Sequence, residues 1–156
     1  MGGQPLVQRL GDKDYSWGAV SILVPEMIAA GLLGYAYACP DMIGGGQFGS
    51  FIGLDQSKFN QHLIVRSAQV HTLMPMMQFS VAPWRILSKE NLEIVRKMAH
   101  LHQQFGNYII EEARKSSQTG EPIIRHMEYA FPYQGFQECK DQFMLGDKYM
   151  VAPVVT

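Results

Sequence analysis

The residues best placed to do chemistry lie in one stretch, Ala38-Cys39-Pro40-Asp41-Met42-Ile43-Gly44-Gly45-Gly46. An apolar run over 35–38 ends there in a single carboxylate and then a glycine-rich turn. A carboxylate that leaves a buried parallel strand for a loop stands where α/β barrels place reactive groups. A second acid, Asp12, follows Gly11 near the start of the chain, with Asp14 two residues on. Taken alone, these residues say only that a site exists. A Gly-Asp turn is commonly a solvated feature, and a lone Asp41 also reads as a loop cap.

Other chemistries fit the sequence poorly. The three glycines at 44–46 are not followed by the G-K of a phosphate loop, and no lysine stands near them. His100 and His102 are two apart, which points them to different faces of a helix, and His62 and His71 are too far apart to share a metal. Neither a metal nor an organic cofactor is expected. His102 reads as a satisfied core histidine and His100 as a surface one. The ten methionines read as core filler, and Cys39 and Cys139 as small buried residues too few for a disulfide scaffold.

Composition bounds the partners. A net charge of −1 gives no electrostatic case for nucleic acid or an anionic membrane surface. With 47% hydrophobic and 17% charged residues, the chain can bury a core. No signal peptide is visible, and the apolar reach over 20–37 is broken by Pro25 and Glu26, so no membrane segment is expected. The chain stops within an apolar β-branched run, Val151-Ala152-Pro153-Val154-Val155-Thr156, which reads as a cut through a longer protein.

The elements that must position the acids follow a rhythm. A strand over 5–10 leads into the loop bearing Asp12 and Asp14. Ser16 caps a helix with Trp17, Val20, Val24, Met27 and Ile28 at helical spacing, which Pro25 kinks or divides. A strand over 35–39 follows, then the glycine-bearing loop, then a helix capped by Ser57 and marked by Phe59, Leu63, Arg66 and Val70. A third strand spans 74–81. Ser88 caps a long helix to about Lys115, ended by Gly120, and short strands over 123–129, 142–145 and 149–155 complete the chain. Strand–helix alternation over the first 115 or so residues implies parallel βαβ units, and the strands after it an appended β region.

Four segments in order resemble glycoside hydrolase family 31, the retaining α-glycosidases built on a (β/α)8 barrel. They are Arg9-Leu10-Gly11-Asp12; Pro40-Asp41-Met42-Ile43-Gly44-Gly45; Gly120-Glu121-Pro122-Ile123-Ile124-Arg125; and Asp141-Gln142-Phe143-Met144-Leu145-Gly146-Asp147 with Val151-Ala152-Pro153-Val154. The resemblance implies an α/β chain: the C-terminal part of a TIM barrel, about strands six to eight with their helices, over 1–118. Residues 119–156 would run into an all-β domain. It implies that Asp12 is the acid/base carboxylate, that Asp41 lines the sugar subsite, and that Arg66 is structural. Gln78 and Ser80 stand where many members carry an Arg and a His, and the stretch from Met76 to Arg85 is similar to an α-galactosidase-like subgroup.

The implied reaction is hydrolysis of a terminal α-linked sugar with retention, on an oligosaccharide or glycoside substrate. Retaining hydrolysis uses two carboxyl groups about 5–5.5 Å apart, one nucleophilic and one protonating the leaving oxygen. Asp12 supplies the proton, from a setting beside Tyr15 and Trp17 expected to be desolvated, and the nucleophile lies on a strand before residue 1. Arg9, Gln78 and Trp84 join Asp41 in shaping the subsite, although packing accounts equally well for Trp84. The runner-up activities are α-glucosidase and α-xylosidase; a non-catalytic glycan-binding or interaction fragment is the reading from another class. The piece alone is expected to be inactive, its open sheet edges covered by the rest of the barrel or by self-association.

Overall fold

The computed structural model describes residues 7–46 and 59–156. The first two residues of the expected opening strand, and Ser57 as a helix cap, lie outside them. Strand β1 (Gln8–Arg9) runs parallel to β2 (Ala38–Cys39), Gln8 opposite Ala38 and Arg9 opposite Cys39. Helices α1 (Trp17–Ser21) and α2 (Leu23–Leu32) connect the two strands. Ser16 caps α1, its Oγ accepting from the Ala19 N–H at 3.1 Å. The division falls at Ile22, which puts Pro25 in the first turn of α2, where a missing N–H breaks no intrahelical bond.

Asn60 caps α3 (Gln61–His71), its side chain accepting from the His62 N–H. The strand expected over 74–81 is reduced to a single parallel bridge, Ile43 opposite Phe79. Its neighbour explains this. Beyond β2, Pro40 has no N–H to offer and Asp41 turns to a φ of 143°, so the ladder resumes only at Ile43. There the Ile43 N–H donates to Gln78 O at 2.7 Å. A 3₁₀ turn at Pro83–Arg85 precedes α4 (Lys89–Thr119), capped by Ser88 and ended by Gly120 at a φ of 79°. The helix runs one turn past its expected end.

The C-terminal strands are antiparallel: β3 (Ile124–His126), β4 (Phe143–Leu145) and β5 (Tyr149–Val151), in that order. The strand expected to reach residue 129 gives way at His126, whose Nδ1 accepts from the Glu128 N–H at 3.1 Å and starts α5 (Met127–Ala130). β5 stops at Val151, shortly before Pro153, which cannot donate to a ladder. Helix α2 packs on β3 at Gly31, where an added Cβ would meet Pro122 Cβ at 2.9 Å. One buried cluster therefore joins Val24 and Met27 of α2, Ala38 of β2, Val70 of α3, Ile124 of β3 and Phe143 of β4. A second gathers Ile43, Ile64, Val65, Ala68 and Val95. Among the described residues no helix is long and apolar enough to cross a membrane.

Candidate active site

Three consecutive parallel segments, at 8–9, 38–43 and 78–80, end on one side of the fold. Adjacent parallel strands bring their C-terminal ends together, and this is what assembles the acids. Arg9 is the link between them. One guanidinium nitrogen donates to Asp12 Oδ1 at 2.5 Å and the other to Asp41 Oδ1. The guanidinium is pushed up from its ordinary value, first by the bond to Asp12, with the two carboxylate charges assisting and desolvation opposing.

The two carboxylates are held differently. Asp41 is fully buried, and its Oδ2 accepts from the Lys13 N–H at 2.8 Å and the Gly46 N–H at 2.9 Å. Its φ of 143° lies where L side chains rarely go. The Asp41 carbonyl faces Cys39 Sγ at 3.3 Å and His71 Nε2 at 3.1 Å. Asp12, by contrast, has a side chain 48% exposed. The desolvated setting expected for it beside Tyr15 and Trp17 is not what the chain builds, because the loop turns its carboxylate outward to Arg9. Tyr15 instead stacks on Phe59, and burial pushes its phenol up to about 12.

Glycines let the two loops meet. A Cβ on Gly46 would meet Asp12 Oδ1 and Asp41 Oδ1 at 2.6 Å each, so the two carboxylate oxygens converge on one point. Gly45, at a φ of 88°, lies against the backbone oxygens of Lys13 and Asp14. Lys13 is the residue that sequence reasoning missed. Its side chain is buried, and its ammonium donates to Pro40 O at 2.9 Å and Gly11 O at 3.2 Å and pairs with Glu26 at 2.7 Å. No periodicity flags a lysine inside a Gly-Asp-Lys-Asp turn; only the tertiary fold buries it.

Arg9, Asp12 and Asp41 therefore meet, and Gln78 lies on the segment bridged to Ile43, two residues beyond Asp41. Gln78 is exposed, and Ser80 Oγ donates to Ile43 O at 2.7 Å. Trp84, in the 3₁₀ turn, is 72% exposed. Arg66 donates to Gln69 on its own helix at 2.8 Å. Asp14 accepts from Ser16 Oγ as a helix-entry charge. His102 Nδ1 bonds Thr72 O at 2.9 Å and His100 is exposed. Cys39 is buried, whereas Cys139 is only half-buried. Among the described residues no group of His, Cys, Asp or Glu could hold a metal ion.

No family model matches the chain. It is 33% identical over 154 residues to the myogenesis-regulating glycosidase of Mus musculus, covering 94% of this chain and 21% of that protein. It is 30% identical over 143 residues to the SITS-binding protein of Tetronarce californica, covering 90% of this chain and 20% of that protein. Its structure superposes on a family 31 α-xylosidase from a soil metagenome with a TM-score of 0.81 at 21% identity, covering 95% of this chain and 25% of that one. Other neighbours are an α-glucosidase and a family 31 dextranase. The chain spans about a fifth of the length of these curated relatives. In sequence as in fold, the neighbours of this chain are glycoside hydrolase family 31 enzymes, and it covers a small fraction of each.

Proposed function

We propose that the chain is the part of a retaining α-glycosidase that carries the acid/base. In this reading it comprises barrel strands six to eight with their helices over 1–118, and the first strands of a β domain over 119–156. One observation carries the assignment: Arg9 ties Asp12 and Asp41 together at the ends of adjacent parallel strands. Asp12, reachable from solvent, is the proton donor and later the base. Asp41, buried with both oxygens engaged, is a wall of the sugar subsite. Arg9, Gln78 and Trp84 complete that subsite.

The substrate in this reading is a terminal α-galactoside, supported by Gln78 and Ser80, which flank the bridged Phe79. α-Glucoside and α-xyloside are the runners-up. The nucleophile is supplied by sequence upstream, so the 156-residue piece hydrolyses nothing by itself, and the edge of β1 away from β2 is covered by the missing strands or by a second copy. The test uses the full reading frame and a panel of p-nitrophenyl α-galactoside, α-glucoside and α-xyloside. Asp12→Asn is expected to lower kcat by about 10²- to 10⁴-fold with the melting temperature nearly unchanged. An Asp12→Asn enzyme as fast as the parent would overturn the assignment. Parent protein inactive on every sugar would favour the non-catalytic glycan-binding reading.

A further inference from the structure

His71 is the one completely buried histidine among the described residues, and nothing in the proposed reaction uses it. It ends α3 and faces two backbone carbonyls, Ser67 O at 2.7 Å from Nδ1 and Asp41 O at 3.1 Å from Nε2. Carbonyl oxygens only accept, and the neutral ring that burial favours carries one N–H, so the ring donates to one of the two carbonyls. The second contact lands on Asp41, one of two non-glycine residues at positive φ among the described residues, at 143°.

We infer that His71, as the tautomer protonated at Nε2, is a positioning residue for Asp41: it donates to the Asp41 carbonyl and thereby aims the Asp41 carboxylate. Rotation about the N–Cα bond of Asp41 moves its carbonyl and its side chain together. Anchoring the carbonyl from inside the core therefore fixes the direction of the carboxylate, which otherwise relaxes toward an ordinary φ and leaves the Lys13 and Gly46 N–H groups. Strain of this kind persists only where the surroundings over-determine it. Here the determinants come from three sides: Arg9 of β1 and Lys13 of the loop after it, Gly46 on the glycine turn, and His71 from α3. Cys39 Sγ, at 3.3 Å from the same oxygen, is a weak donor and a poor substitute.

The consequence for catalysis rests on the reading of Asp41 as subsite wall; the positioning itself does not. The experiment therefore has two arms in the full-length protein. His71→Met keeps length and apolar packing but has no donor, whereas His71→Gln keeps an N–H. In crystal structures, His71→Met is expected to swing the Asp41 carboxylate off the Lys13 N–H, and His71→Gln to keep it there. An unmoved carboxylate in His71→Met overturns the inference whether or not the protein hydrolyses any glycoside. In kinetics, His71→Met is expected to lower kcat/KM by about 10- to 100-fold, with His71→Gln recovering most of it. In an Asp41→Ala background the same change is expected to matter by less than about twofold. Equal losses in both backgrounds would mean a merely structural role. If His71→Met fails to fold, the His71→Gln structure decides. A carboxylate displaced there, although the introduced amide still bonds the Asp41 carbonyl, sinks the claim, and a retained one upholds it.

Discussion

Two arginines in this chain each stand between two carboxylates, and the molecule uses them for different ends. Arg9 joins Asp12 and Asp41 across two loops. Arg125, on β3, joins Glu112 of α4 and Asp147 of the β4–β5 turn, while its Nε donates to Pro122 O at 2.8 Å. Arg125 and Glu112 are both buried, and Gly146 presses so closely that a Cβ there would collide with the Glu112 carboxylate and the Tyr108 hydroxyl. The Arg9 side chain is 38% exposed, and one of its partners sits on strained backbone. Identical functional groups thus lock the helix to the sheet at one end and tie two loops together over strained backbone at the other. Residue type does not separate the two; exposure and backbone strain do.

The largest effects should come from breaking the buried lock. Arg125→Met leaves Glu112 buried without its partner, and is expected to lower unfolding free energy by about 3–5 kcal/mol. Arg9→Met removes an arginine that reaches water but takes one donor from the buried Asp41, whose other oxygen keeps the Lys13 and Gly46 N–H groups, and should cost less, about 1–2 kcal/mol, while sharply reducing kcat/KM per folded molecule. Urea unfolding alongside glycoside hydrolysis measures both. If Arg9→Met destabilises as much as Arg125→Met, the two regions are not different in kind.

A finer contrast uses glycines. Gly106, in the middle of α4, has nothing within 4 Å of an added Cβ, so Gly106→Ala should raise stability by about 0.5–1 kcal/mol and leave hydrolysis unchanged. Gly46→Ala puts a methyl between the Asp12 and Asp41 oxygens and should depress kcat/KM with little change in melting temperature. A silent Gly46→Ala would mean that the two carboxylates separate freely, against the convergence seen at the site.

What the sequence made legible follows the same division. Local chemistry was readable: Ser16 and Ser88 cap their helices through their own hydroxyls, and Gly120 takes the left-handed turn that ends α4. The alternation that leads to parallel strands was readable too, at β1 and β2. What depended on a distant partner was not. The strand expected over 74–81 shrinks to one bridge because Pro40 and Asp41 interrupt its neighbour. The burial of Lys13 depends on Glu26 and the Pro40 carbonyl, and the role of His71 on the direction of a carbonyl thirty residues away. At His126 a side chain caps a helix turn inside an apolar run that propensity alone extends as strand.

The smallest effect concerns Asp147, the half-exposed partner in the lock. Lys115 first, then Arg125, hold its carboxyl below the ordinary value of 3.8. A carboxyl depressed in the folded state adds stability that is fully present above its unfolded value and disappears as pH falls through the folded one. Parent and Asp147→Asn should therefore differ in unfolding free energy at about pH 6, by no more than about 1 kcal/mol because water reaches the pair. Below about pH 4 that difference should shrink, as the parent carboxyl takes up its proton. Urea unfolding at about pH 6, 4 and 3 gives the comparison. A gap that stays constant across this range would mean that the Asp147 charge contributes nothing, and that the lock is Arg125, Glu112 and the packing of Gly146 alone.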